Sequence, residues 1–168
     1  MTGSGVTRRG AAVLLGCTVL LGAGYAADRP RAANSALAGV AARYLAIANA
    51  GNRRLQAELD PFEGRDRNNL VRAKVDLRDA AATERLFDSR LLAIAFPPAI
   101  EGVAQELYRV NEARARLTTG AAASTSLRWL HSYQPSLDAA NGTVEQAVKT
   151  IRRLLGLPPP PTLNGAPS

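Results

Sequence analysis

Cysteine, histidine, methionine and tryptophan each occur once in this chain, and aromatic residues make up 5% of it. The single cysteine, Cys17, has no partner for an intramolecular disulfide, so a folded domain must rest on its core alone. The single histidine, His131, excludes the paired Glu-x-x-His motifs of di-iron bundles, and Cys and His show no zinc-binding spacing. Ser124, Thr125 and Ser126 have no partnered base that would make one of them a nucleophile. No catalytic, metal or cofactor motif stands out, so neither an enzyme nor a cofactor is expected. Strand-like alternation over four or more residues is missing, and so is any internal repeat. Lysines and arginines never run four together, although the formal charge is +7. Their scatter fits a solvated helical surface better than a nucleic-acid groove.

What the chain does have begins at its start. Arg8 and Arg9 precede an uncharged, largely apolar run from Gly10 to Ala27, and charge returns at Asp28, Arg29 and Arg31. A basic flank, an apolar stretch and small residues before a charged segment are the marks of an export signal. Gly24-Tyr25-Ala26 places small residues where a signal peptidase needs them, predicting cleavage after Ala26. Gly10–Ala27 is also at the lower length limit for spanning ~30 Å of hydrocarbon, so an uncleaved anchor is the second reading, with the bulk of the chain outside. Leu14-Leu15-Gly16-Cys17 resembles the lipobox of bacterial lipoproteins and would make Cys17 a lipid attachment site. Against this, the stretch before Cys17 is short and the residues after it stay apolar. Thr7-Arg8-Arg9 matches part of a twin-arginine signal, without the usual apolar pair beyond it. Residues 1–27 are thus read as signal peptide or membrane anchor, with membrane association through residues 10–27 in the latter case, and 28–34 as a linker.

Four helices are expected over residues 35–156. The first opens at Asn34 or Ser35 and carries Leu37, Val40, Tyr44, Ile47, Ala48, Gly51, Leu55 and Leu59 at helical spacing, ending at Asp60-Pro61. Phe62 to Arg65 connects it to a second helix capped by Asp66, whose stripe is Leu70, Ala73, Leu77, Ala80, Ala81, Leu91 and Ala95, with Phe87 and Ile94 at one margin. Phe96-Pro97-Pro98 stops that helix, and Pro98 can open the third, which runs along Ile100, Val103, Ala104, Leu107, Val110 and Leu117 to Thr119-Gly120. The last helix runs from Ala121 with a kink near Pro135, then along Leu137, Ala140, Val144, Ala147, Val148, Ile151 and Leu155 to a stop at Gly156. Residues 157–168 read as a proline-rich, disordered tail. Long helices with short connections predict an all-α fold, an antiparallel up-down-up-down four-helix bundle.

Four polar residues fall on stripes that should be buried. Glu84 and Asp88 lie between Leu77 and Leu91 on the second helix, and Asn111 and Arg114 on the stripe of the third. Folding the two helices back about Phe96-Pro97 sets Glu84 level with Asn111 and one turn from Arg114. The expectation is a Glu84–Arg114 ion pair with Asn111 and Asp88 as hydrogen-bonding neighbours, fixing helix register; a ligand pocket is the alternative role. Trp129 projects roughly opposite Leu127 and Leu130, suggesting either an exposed contact patch or packing against the kink. Asn141-Gly142-Thr143 matches the glycosylation sequon.

Tyr44-Leu45-Ala46-Ile47-Ala48, Phe87 to Pro98, Asn111-Glu112-Ala113-Arg114-Ala115-Arg116-Leu117 and Leu154-Leu155-Gly156-Leu157-Pro158-Pro159-Pro160 resemble segments of small exported helical proteins and predicted lipoproteins of high-GC Gram-positive bacteria. The resemblance implies an envelope location and, for some relatives, a lipid anchor; it implies no activity. The function expected is a non-enzymatic bundle that touches another envelope component, protein or polymer, and not nucleic acid. The alternative is a small-molecule or lipid binding module with its pocket near Glu84 and Arg114.

Overall fold

The computed structural model describes residues 31–160, and side chains from Ser35 onward. Residues 1–30, on which the signal, anchor and Cys17 expectations fall, and residues 161–168 lie outside the described residues. Within them the chain is all-helical, without a strand: α1 Arg31–Glu63, α2 Leu70–Leu92, α3 Pro98–Ala122, α4 Leu127–Ser132 and α5 Gln134–Leu154. None of these helices is long and apolar enough to cross a membrane.

Helix α1 departs from expectation at both ends. It takes in residues 31–34, assigned from sequence to a linker and cap, and it continues through Pro61 to Glu63. Proline removes one backbone donor, but near the end of a helix that loss is local. Leu59 and Phe62 pack on the apolar cluster around Ala73 and Leu77, which holds the last turn together. Gly64 N–H then donates to the Asp60 carbonyl and Asp66 N–H to that of Pro61. Asp66 does not cap α2, because the chain makes a further turn before the helix starts. Asn69 is the cap, its Oδ1 accepting from Arg72 N–H at 3.1 Å. Asp66 is instead buried beneath Arg65 and Arg72, at 3.4 and 3.6 Å.

Helix α2 stops at Leu92, so Ala95 lies past its end and is exposed. The rest of its expected stripe is inward: Ala73, Leu77, Ala80, Ala81, Phe87 and Leu91 are buried, as is Ile94 just beyond. Pro98 opens α3, where a missing N–H costs nothing. Gly120 does not close α3, which runs on through Ala122, because Ala121 and Ala122 pack with Leu130 of α4. The Tyr133 ring lies only 3.0 Å from where a Cβ on Gly120 would sit, so the glycine serves close approach.

The expected helix from Ala121 to Gln134 shortens to α4, capped by Ser126, whose hydroxyl accepts from Trp129 N–H at 3.2 Å. Tyr133 joins α4 to α5 with near-helical backbone angles, φ −75° and ψ −17°, and Pro135 falls in the first turn of α5. The last element is therefore bent beside Pro135. At its far end Gly156 takes φ +68°, which glycine adopts without penalty. Gly156 and Leu157 N–H groups donate to the carbonyls of Arg153 and Arg152, and Leu157 folds onto the core. Arg152, itself buried, donates from Nε to the Pro158 carbonyl at 2.6 Å and fixes the first residues after the helix.

Helix α2 packs on both α1 and α3, and α3 also packs on α5. Side-chain pairs run in opposing order along these neighbours. Glu58 meets Thr83 while Gly51 lies beside Phe87, and Arg114 meets Glu84 while Asn111 meets Asp88. The apolar interior is two clusters. The larger joins Tyr44, Ala48, Phe87, Leu91, Leu107, Val148 and Ile151 with their neighbours. The smaller joins Ala73, Leu77, Ala121, Ala122 and Leu130.

Candidate functional site

Between the two apolar clusters lies a polar layer drawn from three helices. Glu84 and Asp88 are one turn apart on α2 and share a face. Arg114 of α3 places Nε 3.1 Å from Glu84 Oε1, with both side chains 5% exposed. Asn111 Nδ2 donates to Asp88 Oδ1 at 2.8 Å and, more weakly, to the Glu84 backbone carbonyl at 3.3 Å. All four side chains expected from sequence to meet in the interior are thus brought together and buried.

The layer is wider than the sequence reading made it. From α1, Glu58 Oε1 accepts from the Thr83 hydroxyl at 2.9 Å, and Asn52 is buried nearby in sequence order. Thr118 is buried one turn past Arg114, its hydroxyl returned to the Arg114 carbonyl at 3.1 Å. At the rim, Glu112 receives Arg116 at 3.0 Å and Arg85 at 3.7 Å. The signal for Thr83 was present: it falls between Ala80 and Phe87 at helical spacing, on the side of α2 that carries the margin residues. Glu58, between Ala57 and Leu59 and three residues after Leu55, lies at the margin of the α1 stripe and carried a similar mark.

Burial dominates the electrostatics. It pushes the Glu84 carboxyl upward from its ordinary value while Arg114 pulls it back. It raises Asp88 to about 7; the Asn111 hydrogen bond opposes this and the charges of Glu112 and Glu84 add to it. Glu58 is raised as well, by burial against the restraining bond from Thr83. Within this layer three carboxylate oxygens, Glu84 Oε2, Asp88 Oδ2 and Glu58 Oε2, are buried without a hydrogen-bond partner.

The remaining candidates stay apart from this layer. Among the described residues no group of three His, Cys, Asp or Glu side chains is placed to hold a metal ion. His131 is exposed on α4. Trp129 is 54% exposed. Ser126 is occupied as a cap, and Ser124 is buried. Asn141-Gly142-Thr143 lies within α5, with Asn141 half-buried. An open hollow of about 470 Å³ is at the α2–α3 corner between Leu92, Phe96, Glu101 and Gln105. A second, of about 10 Å³, lies between Gly51, Thr83 and Phe87. Neither is lined by Glu84 or Arg114.

Taken together, the arrangement ties α1, α2 and α3 to one another through buried polar side chains. No protein-family model matches the chain, and comparison with characterised proteins and with solved structures finds no significant match.

Proposed function

We propose that this chain is a non-enzymatic protein of the cell envelope, exported by its apolar leader, that acts through contacts of its helical surface with another envelope component. In this reading α4 and α5 form one bent rod, and the four rods run up, down, up and down. The opposing order of side-chain pairs along α1, α2 and α3 supports that path.

One observation carries the reading. The groups with chemistry to offer are sealed inside at 5% side-chain exposure for Glu84 and Arg114, while Val71, Leu92 and Trp129 stand 74%, 55% and 54% exposed. Large apolar side chains held in water, one of them tryptophan, are what a protein contact uses. A pocket at Glu84 and Arg114 has less in its favour, since both hollows described lie elsewhere.

The test is fractionation of native cells expressing the full chain, with mass determination of its N-terminus. The expected result is a membrane or exported fraction whose chain starts at Ala27, bears an acylated Cys17 or retains its leader. Recovery of the intact chain free in the cytosol would overturn the proposal. Trp129→Glu and Val71→Asp should then weaken capture of the envelope component with helix content unchanged.

A further inference from the structure

The polar layer contains an imbalance. Two carboxylates on consecutive turns of α2, Glu84 and Asp88, face a single buried guanidinium, Arg114. The other charged or polar groups around them do not correct it. From α3, Asn111 is neutral and Glu112 adds negative charge that Arg85 and Arg116 meet at the rim. From α1, Glu58 is also acidic, takes a hydrogen bond from Thr83 and is offset by Arg54, which leaves no α1 cation over for Glu84 and Asp88; Asn52 is neutral. An ionised carboxylate closed away from water and unpaired is too costly to persist. Glu84 Oε2 and Asp88 Oδ2 moreover have no donor.

We propose that this layer is a proton-binding site: folding takes up one proton, held between Glu84 and Asp88, and the α2–α3 seam is tighter in acid than in mild alkali. A proton on either carboxyl leaves one net negative charge for Arg114 to match. It also turns an acceptor-only group into a donor, giving the partnerless oxygens a bond to make. The two carboxyls titrate as a pair, so the proton belongs to both.

Direction and range follow from the groups themselves. Unfolded, the carboxyls lose their protons at ordinary values of 3.8 for Asp and 4.5 for Glu, whereas folded Asp88 keeps its proton to about 7. The native state binds more protons than the unfolded chain across that interval, so stability falls as pH rises through it. The contribution is complete below about pH 4 and gone above about pH 7.

Two measurements on the full-length protein test this. Carbon-13 spectra of the side-chain carboxyls should show one interior resonance, from Asp88 or Glu84, titrating near neutrality. Urea unfolding of the wild type should show an unfolding constant that rises between pH 4.5 and 7, up to about tenfold per pH unit of that rise coming from this one proton. Asp88→Asn, which supplies an amide N–H where the proton would sit, should make the slope shallower than the wild type's by that one proton. Glu58, Glu63 and Asp76, also raised by burial, remain in both proteins and cancel in the comparison. Should Asp88→Asn not fold, Glu84→Gln makes the same comparison, and the wild-type spectra decide alone. Interior carboxyls that all titrate below pH 5, or a variant with the wild-type slope, would overturn the proposal. It stands whether or not the chain reaches the envelope.

Discussion

Replacing Arg114 by leucine removes, among the described residues, the buried cation paired with Glu84 and leaves a smaller apolar side chain. Breaking one side of a buried ion pair costs roughly 3–5 kcal/mol, because the other charge stays behind unpaired. Here a ceiling applies. Glu84 can escape by taking a proton, and at pH 7 protonating a carboxyl of ordinary value 4.5 costs about 3.4 kcal/mol at ~1.4 kcal/mol per unit. At pH 5 the same escape costs about 0.7 kcal/mol. The Arg114→Leu variant should therefore lose about 3 kcal/mol at pH 7 and about 1 kcal/mol at pH 5, read from urea midpoints by circular dichroism. Adding Glu84→Gln should recover most of the loss at pH 7, since no stranded charge remains. A loss below about 1 kcal/mol at pH 7, or one that does not shrink on acidification, would refute the reasoning.

Two glycines should respond in opposite directions to alanine. Gly120→Ala drives a methyl against the Tyr133 ring and should destabilise by about 1–3 kcal/mol, whereas Gly142→Ala meets open space inside α5 and should stabilise by up to ~1 kcal/mol; thermal melts separate the two. Asn69→Ala should cost about 1 kcal/mol of stability in urea unfolding because it deprives the Arg72 N–H of its cap.

The sequence read most clearly where apolar spacing and polar exception coincided. Ile100, Ala104, Leu107 and Val110 marked the buried face of α3, and Asn111 and Arg114 stood out because they shared it. Folding two helices about Phe96-Pro97 then sufficed to pair Arg114 with Glu84. Helix ends were read less well, because local signals there compete with packing. Pro61 looked like a terminator, yet Phe62 beyond it gains more from the cluster around Leu77 than the helix loses in one hydrogen bond. Gly120 looked like a stop, but no positive φ is needed there; its small size is what Tyr133 requires. Asp66 and Asn69 are equally good caps in isolation, and only the extra turn between α1 and α2 decides for Asn69. Glu58 escaped notice because its partner, Thr83, is brought near only by tertiary packing.

The polar layer also leaves the molecule with two unequal ends. On one side of it stand aromatic and branched residues from four helices; on the other, five buried residues, three of them alanine. Methyl groups contribute little transfer free energy each, so the latter end relies on Leu77, Leu130 and the partly buried Leu59, Phe62, Leu70 and Tyr133 packed around its alanines. Trp129 stands on that end, next to Leu130, its neighbour in the chain. A partner that grips the tryptophan would load this smaller cluster directly, and reach the half around Tyr44 and Ile151 only through the polar layer.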